Sequence, residues 1–366
     1  MKKKIKVLLL SAPIGSGHQM AAESIKEELL TYDNVEVVHG NIFSFFPKFL
    51  GDTFLAVYLW ILKACPWLYQ MTYSWGNKES GSLWLKNFIN RALLQLGSGF
   101  LNKVQPDIVM ATHATPAGIM SFYKEKHPEV FLGVVVTDFT VHRWWICQNV
   151  DAYFVADERL ISKFPAHFTV QAFGIPIRSA FALDNAASLR STFGWDAHEK
   201  VCLVMGGGEG LLPMEDIISS LNKCALANLR ILAICGRNAK LQEQLSRKFN
   251  ANSRVEIIGF TDKAPDYMKA ADLIITKPGG LTSSEVLASS LQFLIYKPLP
   301  GQEQNNARFL AEHFGAKVFE NTTELVAAVK NICSSTEVQT NTPYHGKNST
   351  ERICEYILGR WLRVKS

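Results

Sequence analysis

The sequence predicts an α/β protein made of two similar halves, each a Rossmann-like parallel sheet with helices packed on its faces. Three observations predict it. Short continuous apolar runs, the pattern of strands buried on both faces, alternate with stretches of helical apolar spacing. Those runs repeatedly end in loops of glycine, hydroxyl or amide residues. At 366 residues the chain exceeds what one hydrophobic core usually holds.

Residues 5–10 (IKVLLL) read as the first buried strand, 11–17 (SAPIGSG) as a loop and 18–30 as an amphipathic helix with His18 at its head. The glycine loop exposes that histidine, and the positive helix end favours the neutral imidazole a general base needs. Further α/β units follow: 106–112 with His113 and Thr115 at the strand exit, 131–137 followed by Asp138 and the loop VHRWW, and 151–156. In open α/β sheets ligands collect beyond the carboxyl ends of the strands, where His18, His113, Asp138 and His142 all fall. Taken singly, His113 or His142 reads equally well as an ordinary loop residue.

Residues 41–100 differ in composition, with Phe, Trp, Tyr and Leu interrupted by Lys48, Asp52, Lys63 and Lys78. The longest strongly apolar run there, 53–62, is well short of the ~20 residues that span a bilayer. Aromatics interleaved with lysines suit a segment lying in the membrane interface or forming a groove for a lipid acceptor. Helices packed on the domain's own core are the alternative reading.

Residues 173–179 (FGIPIRS) break regular structure and mark a boundary. Beyond it, 200–205 leads into a glycine turn, 206–210 (GGGEG), before a helix near 214–227. The strand 229–235 closes in Gly236, Arg237 and Asn238, and 255–259 is followed by Phe260. Residues 272–307 (DLIITKPGGLTSSEVLASSLQFLIYKPLPGQEQNNA) give strand, glycine turn, helix, then a second strand and a helix opening in Gln302, Glu303, Gln304, Asn305 and Asn306. Unpaired amides at the PGG turn and the hydroxyls of Thr282, Ser283 and Ser284 suit a phosphate. Glu285, a turn further in, suits a pair of sugar hydroxyls, and the amide-rich second junction suits a hydroxyl-rich ligand. Either turn alone reads equally well as a tight connection or a cap. Their succession in one crossover favours a site, and five parallel strands delivering such loops to one edge define a nucleotide pocket, with Arg237 as its phosphate-neutralising cation. The chain after residue 316 adds a strand to 319, a helix from 322, a polar stretch 336–347 and a last helix, 351–362.

A P-loop, an esterase elbow, zinc spacing and a complete dinucleotide fingerprint are all absent. Net charge is +5, mild enough to suit an anionic ligand or membrane surface and too weak to argue for nucleic acid. Seven scattered cysteines without a C-x-x-C pattern, two of them in apolar strands, point to reduced thiols and a cytosolic setting. The short apolar run near the N-terminus is too brief for a signal peptide.

At these residues the chain resembles the processive diacylglycerol glucosyltransferases and monogalactosyldiacylglycerol synthases, which belong with the MurG-like glycosyltransferases. GSGHQMAAESI, TDFTVHRWW with NVDAYFVADE, GIPIRSAF, GGGEG, CGRN, ITKPGGLTSSEVLA and PGQEQNNA stand in the family's order. The resemblance implies a GT-B fold of two Rossmann-like domains facing a central cleft. Residues 1–178 would form the N-terminal, acceptor and membrane-associating domain, 179–348 the UDP-sugar-binding domain, and 349–366 a helix returning to the first. The implied reaction is an inverting, metal-independent transfer of a hexose from UDP-glucose or UDP-galactose to diacylglycerol or a glycosyl-diacylglycerol, with no cofactor. The implied location is the cytoplasm, peripheral on the inner face of the cell membrane. Consistent with metal independence, no two aspartates are separated by one residue. Residue by residue, Gly280, Thr282 and Ser283 fall on the diphosphate and Glu285 on the ribose. Gln302, Glu303 and Asn306 fall on the donor sugar. Gly207, Gly208, Glu209 and Phe260 belong to the diphosphate and uracil walls, beside Arg237 and Asn238. His18 is the implied base, and Gly17, His113, His142 and Trp145 the acceptor contacts. Plant galactolipid enzymes carry an acidic residue shortly before the histidine where this chain has Pro13 and Ile14, so Asp138 or His113 is the candidate assistant. A UDP-sugar 2-epimerase and a non-catalytic UDP-sugar sensor are the competing readings.

Overall fold

The structure, a computed structural model, describes all residues except 1–3, 13–15, 42–80, 183–184, 197, 209, 211, 225, 227, 336–343 and 366, and leaves aside the side chains of 81–85 and 364–365. Glu209 and most of the aromatic segment on which the membrane-facing expectation rests therefore lie outside the described residues. Chain contacts divide the molecule into two units, Met1–Arg178 with Asn348–Ser366, and Ser179–Lys347.

In the first unit the elements run β1 (Ile5–Ser11), α1 (Ser16–Leu29), β2 (Val35–Asn41), α2 (Gly81–Val104), β3 (Ile108–Ala111), α3 (Ala114–Tyr123), β4 (Phe131–Val135), β5 (Ala152–Phe154) and β6 (Val170–Gln171). The strands form one parallel sheet in the order β2-β1-β3-β4-β5-β6. Val7, Leu8, Leu9 and Leu10 are fully buried, which is why β1 carries no polar alternation: both its faces are covered by helices. Because β1 is flanked by β2 on one side and β3 on the other, the chain direction across the sheet reverses between β1 and β3. A crevice opens beyond their carboxyl ends at such a switch point.

The C-terminal helix α11 (Ser349–Lys365) belongs to this unit. Ile353, Cys354, Ile357 and Leu358 fill the core beside Ile25 and Leu29 of α1. Each such side chain removed from water contributes on the order of 1.5–3 kcal/mol. Its start is fixed by Ser349 Oγ donating to Ile175 O at 2.8 Å and Thr350 Oγ1 to Ile177 O at 2.7 Å.

The second unit runs α4 (Ala186–Thr192), β7 (Lys200–Met205), α5 (Met214–Lys223), β8 (Leu229–Ile234), α6 (Ala239–Phe249), β9 (Val255–Ile258), α7 (Ala264–Ala270), β10 (Leu273–Thr276), α8 (Gly280–Ala288), β11 (Gln292–Tyr296), α9 (Gln302–Phe314), β12 (Lys317–Phe319) and α10 (Thr322–Ser334). Its sheet is also parallel, ordered β12-β11-β10-β7-β8-β9, the doubly wound Rossmann order with its switch point between β7 and β10. At the opposite end of these strands Asp272 accepts from Val201 N at 2.8 Å and from Arg190 Nη1 at 3.0 Å. Glu199 takes both Nε and Nη2 of Arg230, at 3.0 and 3.1 Å. That end is a charge-paired foot; the glycine and amide loops stand at the other.

Candidate active site

In the first unit the switch point holds the histidines. Helix α1 begins at Ser16, two residues before the expected start, so His18 sits inside its first turn. A reciprocal clamp fixes it to the end of β3. Thr112 Oγ1 donates to His18 O at 2.8 Å, and His18 Nδ1 lies 2.8 Å from Thr112 O. Thr137 Oγ1 lies 2.6 Å from the same Nδ1. A carbonyl oxygen only accepts, so Nδ1 carries the proton and shares it between Thr112 O and the Thr137 hydroxyl. In the neutral ring the lone pair is therefore on Nε2. Burial holds the His18 pKa below its ordinary 6.5, opposed by the nearby Asp138 carboxylate and the Thr112 carbonyl. His18 is thus a neutral imidazole with a defined basic nitrogen at neutral pH, and Asp138, only 6% exposed, supplies the counter-charge once it is protonated.

His113 stacks edge-on to His18 with ring centroids 4.7 Å apart. As the N-cap of α3 it accepts Thr115 N on Nδ1 at 3.1 Å, which leaves its proton on Nε2. Burial, reinforced by His18, pushes its pKa well below 6.5. The two rings therefore differ in kind: His18 presents an acceptor nitrogen, His113 a donor. Trp145 completes the group, its ring 6.3 Å from that of His18 and 6.2 Å from that of His113. His142 does not join them in the same way; its Nδ1 caps the short helix Arg143–Trp145 by accepting Trp144 N at 3.1 Å. Gly17 precedes His18 in the same helical turn. Sequence reading missed Thr112 and Thr137. Thr112 acts chiefly through a backbone carbonyl, which no side-chain pattern encodes, while Thr137 left a faint signal as the residue directly before Asp138.

In the second unit the loops beyond β7, β8, β10 and β11 carry the expected donor residues. Gly207, Gly210 and Gly236 all adopt φ between 60° and 72°. A Cβ at Gly236 would stand 2.4 Å from Gly208 O, and Arg237 N donates to Gly208 O at 2.9 Å, so the two glycine loops pack backbone on backbone. The Arg237 guanidinium lies 5.1 Å over the Phe260 ring, itself 59% exposed; Asn238 caps α6 by accepting Leu241 N at 3.0 Å. At the PGG turn Gly279 is the N-cap of α8, with no side-chain cap. A Cβ built there meets nothing within 4 Å. Gly280, Ser283 and Glu285 are buried on α8, Thr282 half-buried, and Ser283 Oγ has no partner among the described residues. Tyr344 OH donates to Ser284 Oγ at 3.0 Å, tying the stretch at the end of this unit to α8.

Helix α9 is joined to the same turn: Asn306, 1% exposed, donates from Nδ2 to Pro278 O at 3.1 Å. Glu303 accepts Leu299 N at 2.7 Å and faces Lys277 at 3.8 Å. Gln302 opens α9 after Gly301, whose φ of 96° only glycine adopts readily. The β10 and β11 loops thus form one hydrogen-bonded shelf with open space above Gly279. Among the described residues no group of three or more His, Cys, Asp or Glu side chains is placed to hold a metal.

The two parallel sheets define a GT-B fold, and solved structures share it. The Acinetobacter baumannii MurG structure matches with a TM-score of 0.64 at 15% identity, covering 97% of this chain and 99% of that one. A Staphylococcus aureus MnaA–UDP structure matches with a TM-score of 0.60 at 15% identity over 97% of both chains. Residues 18–177 match the monogalactosyldiacylglycerol (MGDG) synthase family and 201–354 the glycosyltransferase family 28 C-terminal domain. A processive diacylglycerol beta-glucosyltransferase of Bacillus cereus (strain G9842) is 30% identical over 338 residues, 89% of this chain and 85% of its own length. The protein of the same name from Bacillus pumilus is 28% identical over 379 residues, 98% and 96% of the two chains. The chain belongs to the diacylglycerol glycosyltransferases of family 28.

Proposed function

We propose that the protein transfers a hexose from UDP-glucose or UDP-galactose to the free hydroxyl of diacylglycerol, or of a glycosyl-diacylglycerol, at a membrane surface, with inversion and without a metal. His18 Nε2 accepts the hydroxyl proton as the acceptor oxygen attacks the anomeric carbon. The bond from that carbon to the UDP oxygen breaks, and UDP departs with the bonding pair. His113 Nε2–H donates to the acceptor oxygen and helps hold it against the base, while Asp138 stabilises the imidazolium that forms. On the donor side the first amides of α8, the open backbone at Gly279 and the hydroxyls of Thr282 and Ser283 receive the diphosphate, with Arg237 as counter-cation. Gly207, Gly208, Asn238 and Phe260 complete the nucleotide walls, Glu285 takes the ribose, and Gln302, Glu303 and Asn306 read the sugar.

The observation that carries this reading is the fixed tautomer of His18, whose Nδ1 is 2.8 Å from Thr112 O. A histidine kept only for packing has no need of a clamp that turns one lone pair outward beside a second, donor histidine. The test incubates the purified protein with diacylglycerol in anionic vesicles and each UDP-sugar, recording UDP release and lipid-linked sugar together. Glycolipid from one donor, abolished in His18→Ala while UDP binding survives, is the expected result. Isomerised UDP-sugar with no lipid product would favour a 2-epimerase instead.

A further inference from the structure

The first unit contains a cavity of about 410 Å³ that the chemistry above leaves unused. Its walls are α2, α3 and the segments around Cys147 and Phe168. Two of these walls lead back to the histidine site. Helix α3 is the element His113 caps, and Cys147 follows two residues after Trp145. Gly118 and Ser121 of α3 stand five and eight residues beyond His113, roughly 7.5 to 12 Å along a helix that rises about 1.5 Å per residue. That is the length scale of a sugar ring or two.

The cations around this cavity are already engaged. Lys86 Nζ donates to Trp144 O at 2.8 Å and lies 3.5 Å from Cys147 Sγ. Arg91 stands 4.7 Å over the Phe122 ring and 3.9 Å from Glu125. Beside the Arg91–Glu125 pair and His167, the lining offers neutral polar groups and two aromatic rings: the exposed amides of Asn87 and Gln148, with Phe122 and Phe168. Asn90, 3% exposed, has no partner for Nδ2 among the described residues. A Cβ at Gly118 would lie only 2.2 Å from that nitrogen, so glycine is what makes room for the amide between α2 and α3. That nitrogen is sealed between the two helices rather than open to the cavity, so Asn90 fixes the α2–α3 wall and is not itself a ligand contact. Planar amides with aromatic faces suit hydroxyls and the C–H faces of a sugar, whereas an anion would call for free cations.

We infer that this cavity is a second acceptor subsite, which holds a hexosyl unit of an already glycosylated lipid while a hydroxyl further along the same acceptor lies at His18. The inference rests on the glycosyltransferase reading and adds to it where an elongating acceptor is held. It assigns Asn87 and Gln148 to the acceptor sugar, with Asn90 shaping the wall behind them, and none of them to the attack itself.

The test compares the full-length protein with an Asn87→Ala/Gln148→Ala double variant, using diacylglycerol and glucosyl-diacylglycerols of one and two sugars as acceptors in identical vesicles. Both side chains are exposed, so the fold is retained. The expected result is a fall in kcat/KM of at least about tenfold on the two-sugar acceptor, whose inner hexose would occupy the cavity, with the diacylglycerol and one-sugar values within about twofold of the parent, and accumulation of the shorter product. Equal losses on all acceptors, or no loss on any, would overturn the subsite. A changed response to the anionic lipid content of the vesicles, with acceptor preference intact, would overturn it in favour of a headgroup site. If the parent glycosylates diacylglycerol and never a glycolipid, the subsite fails alone; if it glycosylates no lipid, the underlying reading fails first.

Discussion

His18 Nδ1 and Thr137 Oγ1 lie 2.6 Å apart, and because the same nitrogen faces the Thr112 carbonyl the hydroxyl receives its proton rather than giving one. The hydroxyl thereby helps fix which imidazole nitrogen is basic. A wrong tautomer presents an N–H where a lone pair is needed and removes the base without moving the ring.

Thr137→Val keeps the shape and removes that acceptor. One hydrogen bond contributes on the order of 1 kcal/mol, so kcat falls about five- to tenfold, KM for the sugar nucleotide is unchanged, and Thr137→Ser restores the rate. Steady-state kinetics of the three proteins decide it. A serine variant as slow as valine would mean that the threonine methyl, and not the hydroxyl, matters.

With His18 as the proposed base, the acid limb of the rate profile reports its protonation. Burial lowers the His18 pKa, and Asp138 acts against that shift. The neutral, active form therefore persists below pH 6.5, and log(kcat/KM) bends downward only under that value. Replacing Asp138 by Asn removes the charge that favours the imidazolium, so the limb moves to still lower pH. The plateau also drops, because the proton accepted during attack loses its counter-charge. Measured profiles of parent and Asp138→Asn check both signs. A limb that moves upward would remove Asp138 from this role.

How much of this was legible varies with the physics of each element. Strands β7, β10 and β11 begin and end where the apolar runs do, since parallel strands covered on both faces need unbroken apolar sequence. Edge strand β2 is half-exposed beyond Val35, and its polar residues hide it among loops. The glycine loops of the second unit were legible, because φ values such as 96° at Gly301 leave few other residues. The histidine tautomer was not, because a backbone carbonyl fixes it and any sequence supplies one. Nor was the cavity beside α3, since residues from α2 and from the segment around Gln148, distant in sequence, build it together.

Two glycines in the loops proposed for the nucleotide separate folding from binding. Gly279 has an ordinary φ of −68°, and a Cβ there meets nothing within 4 Å. Gly279→Ala therefore leaves the melting temperature unchanged and obstructs only what approaches from outside. If the diphosphate lies against this turn, UDP affinity falls at least about tenfold, a loss of about 1.4 kcal/mol. Gly236 is the opposite case: its φ is +60°, and a Cβ would press on Gly208 O at 2.4 Å. Gly236→Ala strains its own backbone by about 1–2 kcal/mol and displaces the neighbouring glycine loop, so stability and UDP affinity fall together. Thermal melts and UDP titration calorimetry on both variants read the contrast. Were Gly279→Ala to bind UDP like the parent, the open space above it would not be where the diphosphate lies, and the shelf formed by Asn306 and Pro278 would serve the fold rather than the donor.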